Sequence, residues 1–285
     1  MDGIIIVDKP KGFSSRDVVN IISKRLNTKK VGHTGTLDPI ATGVLVICVN
    51  GATKLVDRLS CTDKKYVAKC LLGIKTDTLD NTGKILAYKD TKISEPAIKI
   101  VLDSFVGSYL QEVPIFSAIK VNGKKLYEYA RENKKVKLPK REVKIKSIKL
   151  IESKIVDNKT EFTFECSVSK GTYIRALIRD IAIKLNTYGI MTDLRRVKQG
   201  KFTLDDAIKI DDELKIIPID KVLNCKCIPI EEKIKKRVLN GANVINKYNS
   251  DEILFTLNGP VALYEKDKNN KNELKISKMF VGGKL

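Results

Sequence analysis

The chemistry of this chain gathers in one stretch, Gly32-His33-Thr34-Gly35-Thr36-Leu37-Asp38-Pro39-Ile40-Ala41-Thr42-Gly43. It holds three glycines, a proline, the only histidine in the sequence and a single carboxylate. Glycine admits backbone angles that other residues resist, Pro39 fixes its own φ, and the Asp38-Pro39 step biases Asp38 towards an extended conformation. Leu37, Ile40 and Ala41 can anchor such a loop to a core, so Asp38 would be held at a fixed angle. A carboxylate held in this way can act as nucleophile, general base or metal ligand, or simply form the turn of an Asp-Pro pair. Glycosidase chemistry needs two paired carboxylates, and this loop offers one. Ser-His-Asp hydrolysis lacks a Gly-x-Ser-x-Gly elbow to accompany His33. The glycine-rich phosphate loops, Gly-x-Gly-x-x-Gly and Gly-x-x-x-x-Gly-Lys-Ser/Thr, are absent from any strand-to-helix turn.

A second stretch, Ser169-Lys170-Gly171-Thr172-Tyr173-Ile174-Arg175, reads as the end of a strand, a glycine turn and the start of a helix. Arg175 could supply the cation that a carboxylate set among apolar residues needs, since a guanidinium fork pairs with a carboxylate at two points. A surface arginine fits the same position. Tyr66 and Tyr173 offer flat faces on which a base could stack, and both are equally ordinary as tyrosines at the edge of a core.

The elements that must position these residues follow from periodicity. Residues 3–7 read as a strand and 14–26 as a helix, with Ser14 and Asp17 forming a capping box and Val18, Ile22 and Leu26 an apolar stripe. Strands follow over 44–49 and 64–73, the latter turning Tyr66, Ala68, Cys70 and Leu72 to one side, with a short helix over 52–59 between them. Lys54 in that helix reads as a solvated lysine. The polar run 76–83 lacks the ligand alternation of a calcium loop and is taken as a structural turn that also touches substrate. A helix is expected over 94–105 with Ser94 as N-cap, and the Asn122-Gly123 pair signals a tight hairpin before a short helix over 125–133. The lysine- and arginine-rich segment 134–149 alternates with Val136, Leu138, Val143, Ile145 and Ile148, as a half-buried strand with a basic outer face would. It should turn near Asp157-Asn158 into a strand over 160–169, followed by a helix with Ile174, Leu177, Ile178, Ile181 and Leu185 inward. Residues 191–203, including Leu194-Arg195-Arg196, read as a loop and strand with exposed positive charge.

Near residue 224 the pattern shifts to short strands and turns: a helix over 231–239 and strands near 251–257, 260–265 and 273–281. Two units are expected, 1–223 and 224–285, together a mixed α/β (α+β) protein. No apolar run approaches the roughly 20 residues needed to cross a bilayer, and the start carries no signal peptide, so a cytoplasmic location is the expectation. The six cysteines are scattered, and Cys225-Lys226-Cys227 has the wrong spacing for a redox or zinc motif. With 54 Lys+Arg against 34 Asp+Glu, the net charge of +20 favours RNA or DNA as partner, with an anionic membrane the weaker alternative and a compositional bias of the chain the plain one.

The Gly32–Gly43 loop closely resembles the catalytic loop of the TruB family, the bacterial tRNA pseudouridine-55 synthases. Other stretches fall in that family's order: Asp8-Lys9-Pro10 with Gly12-Ser14-Ser15, Lys65-Tyr66, Thr76-Asp77-Thr78 with Asp80 and Gly83, Ser117-Ala118-Ile119-Lys120 with Gly123-Lys124, Tyr127-Glu128-Tyr129-Ala130-Arg131, Lys170-Gly171-Thr172-Tyr173-Ile174-Arg175 and Leu194-Arg195-Arg196. The match spans residues 1 to about 200 and fades beyond 224. It implies isomerisation of uridine-55 in the T-arm of tRNA to pseudouridine, with no cofactor, no metal and no obligatory protein partner; a monomer is the default expectation. Asp38 would be the essential acid, Arg175 its ion-pair partner, and Tyr66 would stack on the flipped base and help remove the proton from carbon 5. His33 would occupy the space vacated in the T-loop, Tyr173 and Leu194 would line the base pocket, and Lys170 would bind substrate. The implied fold is a pseudouridine synthase core with a bent, largely antiparallel mixed sheet, a thumb-like RNA-clasping insertion over about 94–141, and a C-terminal PUA-like RNA-binding module.

Two other readings stand beside it. A non-catalytic RNA-binding or tRNA-folding protein would need only the basic surface, and a guide-dependent pseudouridine synthase shares the aspartate loop. Asp38, Tyr66 and Arg175 together weigh against the first, and the stretch 94–141 against the second.

Overall fold

The computed structural model describes residues 2–280; residue 281, the expected end of the last strand, lies outside them. A ten-stranded sheet forms the body of the molecule, its main path running 217–218, 3–9, 42–49, 189–199, 64–72, 159–168, 140–156 and 107–112. Neighbours along this path are antiparallel except Thr42–Val49 and Gly189–Gln199, which run parallel at Arg195↔Thr42 and Arg196↔Gly43. That single parallel contact brings the end of the aspartate loop beside Leu194.

Burial explains why the strands near the N-terminus read as unbroken apolar runs. Ile5, Val7, Leu45 and Ile47 face a core shared with the helices Ser15–Arg25, Glu95–Asp103 and Ile174–Lys184. Their alternates Ile4, Ile6, Val44, Val46 and Cys48 face the other way, into a second core that includes Leu254, Leu263 and Phe280 of the C-terminal region. A strand covered on both faces needs no polar alternation.

The C-terminal strands form their own five-stranded sheet in the order 226–229, 252–256, 260–266, 273–279 and 244–245, with the helix Glu232–Leu239 beside it. The edge strands Lys226–Pro229 and Val244–Ile245 were not distinguished in the sequence, being too short to show alternation.

Several expectations hold closely. Ser14 caps the first helix, its Oγ accepting from the Asp17 amide at 3.2 Å while its own amide donates to Asp17 Oδ2 at 2.8 Å. Asn122 and Gly123 take positive φ, 50° and 79°, at the hairpin between Lys120–Val121 and Lys124–Lys125. The strand expected within 134–149 begins only at Lys140 and runs to Val156. Pro139 has no amide proton to extend the ladder, and five residues of mostly like charge precede it.

Candidate active site

The aspartate loop is fastened from three directions and closed by a turn of its own. The Ser15 hydroxyl accepts from the Leu37 amide at 2.8 Å and lies 3.2 Å from its carbonyl oxygen, and the Gly12 amide donates to Pro39 O at 2.8 Å. The Ala41 amide closes a turn on Asp38 O at 3.0 Å. Beneath the loop, Arg196 donates from Nη2 to Gly35 O at 3.1 Å and from Nε to Val44 O at 2.6 Å. Arg196 was expected to be exposed and is instead 1% exposed, because the 189–199 strand lies inside the sheet rather than at its edge. Gly43 has φ +102°, and a Cβ there would sit 2.2 Å from Arg196 O, so only glycine permits the close parallel approach.

Arg175 enters from the first turn of the 174–184 helix. Its Nε lies 2.8 Å from Asp38 Oδ2 and its Nη2 donates to Asp38 Oδ1 at 3.2 Å. Two further donors go to Thr78 O at 2.8 Å and Phe116 O at 3.1 Å, and Nη1 lies 4.0 Å from Asp80 Oδ2. Arg175 is therefore not a surface arginine: its side chain is 7% exposed, against 33% for Asp38. One face of the carboxylate stays open while the guanidinium is held by three separate segments.

The turn that presents Thr78 O is stiff. Asp80 Oδ1 accepts from the Thr82 amide at 3.0 Å and from both threonine hydroxyls, Thr78 and Thr82, at 2.6 Å. Leu79 has φ 64°, the one positive value among the described residues at a side chain other than asparagine or aspartate. That conformation costs an L-residue about 1–2 kcal/mol and persists because Leu79 O and the Asn81 amide both bond to Met191.

All seven residues singled out in the sequence, His33, Asp38, Tyr66, Lys170, Tyr173, Arg175 and Leu194, line one cleft of about 680 Å³. Phe116, Ser117 and Tyr127, from the segment over the cleft, complete its wall. Lys170 sits at the margin and points its Nζ at Cys61 Sγ, 3.3 Å away. Burial holds the His33 imidazole below its usual pKa, with Arg16 and Arg196 adding to the effect, so a neutral ring faces the cleft at neutral pH. His33 Nδ1 and Ser117 Oγ are buried with no hydrogen-bond partner among the described residues. Two orphaned polar atoms on residues lining the cleft suit one that takes a polar ligand.

Two buried lysines were missed. Lys64 is pushed down to about 8, first by burial and then by Arg196 and Lys170, and its Nζ donates to Ser60 O at 2.7 Å. The alternation that placed Tyr66 and Ala68 inward also places Lys64 there. Lys9 is pushed down to about 8, again by burial, with Asp38 opposing the shift, and it bonds to Pro10 O and Phe13 O at 2.9 and 2.6 Å. Lys54 is exposed, as expected, and its ammonium also donates to Met279 O of the C-terminal sheet. No group of three or more His, Cys, Asp or Glu side chains among the described residues could hold a metal, and no helix there is long and apolar enough to cross a membrane.

The family model described as TruB family pseudouridylate synthase (N terminal domain) matches residues 23–174, more than half of the chain. The chain belongs to the TruB family. Among its TruB relatives, tRNA pseudouridine synthase B of Alkaliphilus oremlandii is 41% identical over 272 residues, covering 93% of this chain and 90% of that protein. The enzyme of the same name from Clostridium tetani is 40% identical over 295 residues, covering 99% and 100%. The fold agrees: a crystal structure of a Cbf5-Nop10-Gar1 complex aligns over 99% of this chain and 85% of that one, with a TM-score of 0.71 and 26% identity. The mixed α/β fold, with its largely antiparallel main sheet, is thus that of a TruB pseudouridylate synthase, as the resemblance implied. Asp38 and Tyr66 fall inside the family match, which ends one residue before Arg175.

Proposed function

We propose that this protein isomerises uridine-55 in the T-arm of tRNA to pseudouridine, as a cytoplasmic monomer that needs no guide and no protein partner. The observation that carries the reading is the Asp38–Arg175 pair at the floor of a cleft large enough for a flipped nucleoside. The names of the full-length relatives, tRNA pseudouridine synthase B, support tRNA as substrate. The charge of +20 supports a polyanion.

In this account the target nucleotide leaves the stack, at a cost of a few kcal/mol offset by phosphate contacts on the basic surface. His33 fills the vacated space in the T-loop. Tyr66 and Tyr173 sandwich the uracil, Leu194 closes the apolar side of the pocket, and Lys170 meets a phosphate at the rim. Asp38 then either attacks C1′ or promotes elimination to a glycal. On both routes the N1–C1′ bond breaks with its electron pair leaving on the uracil. The base turns and C5 bonds to C1′, displacing the Asp38 carboxylate on the first route or, on the second, as C2′ regains the proton that Asp38 removed. The C5 proton then departs with help from Tyr66 and N1 takes up a proton. Arg175 fixes the carboxylate against the sugar throughout. One carbon–nitrogen bond is exchanged for one carbon–carbon bond with no net oxidation or hydrolysis, so the chemistry calls for no cofactor.

The insertion over 94–141 would clasp the RNA, which suits the placement of Phe116, Ser117 and Tyr127 on the cleft wall. Residues 224–285 would form a PUA-like module that extends the RNA surface beyond the catalytic domain, 1–223. The likeness to a Cbf5-Nop10-Gar1 complex favours, as a second reading, a synthase that needs partners. Incubation with an unmodified tRNA transcript, followed by carbodiimide labelling and primer extension, separates them. A stop at position 55 with protein and transcript alone is expected; a stop only after adding guide RNA or partner proteins would overturn the stand-alone reading.

A further inference from the structure

Gln111 lies at the end of the strand Gly107–Glu112 and is 0% exposed. A primary amide so buried is unfavourable unless both its ends are bonded, and here they are. Its Oε1 accepts from the Tyr173 amide at 2.8 Å. Its Nε2 donates to Tyr173 O at 3.2 Å and to Tyr109 Oη at 2.6 Å. The amide orientation follows from chemistry, since only Oε1 can accept from a backbone amide. Gln111 thus pairs with both polar groups of Tyr173, as a neighbouring strand would.

Tyr173 occupies a demanding position. It is the N-cap of the 174–184 helix, with no side-chain capping bond, and its carbonyl is also the first helical acceptor, taking the Leu177 amide at 2.9 Å. Its ring lines the cleft and the next residue but one is Arg175. The same strand braces the helix further along, where Arg179 Nη2 donates to Glu112 O at 3.1 Å and Tyr109 Oη lies 3.4 Å from Asp180 Oδ2.

We propose that Gln111 is a positioning residue: its amide clamps the Tyr173 backbone and so sets the tyrosine ring and the Arg175 fork relative to Asp38. The inference rests on the pseudouridine synthase reading above. It also makes the strand at the root of the clasping insertion a part of the base pocket, so that insertion and pocket move as one piece.

The test compares Gln111→Met with Tyr109→Phe in the full-length protein. Tyr109→Phe removes the contacts of Tyr109 Oη with Asp180 and with Gln111 Nε2 and leaves both Gln111 bonds to Tyr173 in place. With Gln111→Met, hydrogen exchange at the Tyr173 amide is expected to quicken about tenfold as its acceptor is lost. Single-turnover pseudouridine formation should slow by about tenfold or more from misplacement at the reacting centre, with tRNA affinity within about threefold of wild type. Tyr109→Phe should lose stability yet keep both the exchange rate and the turnover rate. Gln111→Asn, an amide one methylene too short to span Tyr173, replaces the methionine variant should that not fold. Unchanged exchange at Tyr173 in the Gln111 variant would overturn the clamp, as would equal slowing of turnover by Tyr109→Phe. Failure of wild type to form pseudouridine would sink the functional reading alone, because the exchange comparison still decides the clamp.

Discussion

Arg175 meets Asp38 edge-on, with Nε 2.8 Å from Oδ2 and Nη2 3.2 Å from Oδ1, while two further donors are taken by Thr78 O and Phe116 O. The guanidinium therefore knits together the aspartate loop, the 76–83 turn and the segment over the cleft. Its planar fork serves geometry as well as charge.

Replacing Arg175 by lysine keeps the charge and loses the fork. A single ammonium cannot hold both carboxylate oxygens and both carbonyls, so the carboxylate gains freedom about its side-chain torsions. Single-turnover rate should fall by about a hundredfold, with tRNA affinity little changed. A rate within a few-fold of wild type would show that charge alone suffices.

The lone histidine gives a clean probe of the cleft, because its ring protons contribute one titrating set in a proton spectrum. Burial lowers the folded-state pKa of His33 below the ordinary 6.5, so the unfolded chain takes up the proton first as pH falls. The His33 contribution is constant above that ordinary value and is lost as pH drops through it towards the folded pKa. A midpoint below 6.5 is expected in free protein, together with a shallower acid-side loss of stability in His33→Gln; a midpoint above 6.5 contradicts the buried, uncompensated ring.

Gly43 and Gly12 form a matched pair, with φ +102° and +89°. A Cβ on Gly12 meets nothing within 4 Å, whereas on Gly43 it would lie 2.2 Å from Arg196 O. Gly12→Ala should cost about 1–2 kcal/mol from backbone strain alone, and Gly43→Ala roughly 3 kcal/mol or more as the parallel pairing is forced apart. Denaturant midpoints would read the difference; equal losses would mean that the approach at Arg196 relaxes freely.

The C-terminal sheet is not separable as a simple truncation. Leu254, Leu263 and Phe280 share a core with Ile4, Ile6, Val44 and Val46, and Arg58 pairs with Glu252, so deletion of 225–285 would strip one face of the strands behind the aspartate loop. Charge reversal is the better test of an RNA role. Lys233→Glu with Lys236→Glu, both exposed on the 232–239 helix, should weaken tRNA binding and flatten its salt dependence by about two charges, leaving single-turnover rate unchanged. Unaltered affinity and salt slope would place the RNA elsewhere.

Much of this architecture was legible in the residues. Ser14 with Asp17, Asn122-Gly123 and the alternation from Tyr66 to Leu72 each act locally, and each forms as read. The pairing of Asp38 with Arg175 spans 137 positions: chemistry offered it alongside the reading of a surface arginine, and the family resemblance implied it. What stayed hidden depends on distant neighbours. Arg196 and Lys64 carry charges that nothing nearby in sequence marks for burial; carbonyls of Val44, Gly35 and Ser60 receive them. Gln111 looks like any strand polar residue until Tyr173 is folded against it.

The most direct measurement is release of tritium from carbon-5-labelled uridine in an unmodified tRNA transcript, with wild type and Asp38→Asn side by side. Wild type should release tritium unaided, and Asp38→Asn should release none while binding the transcript within several-fold. Release by Asp38→Asn near the wild-type rate would remove the carboxylate from the chemistry; no release by wild type, with the transcript bound, would contradict a stand-alone synthase.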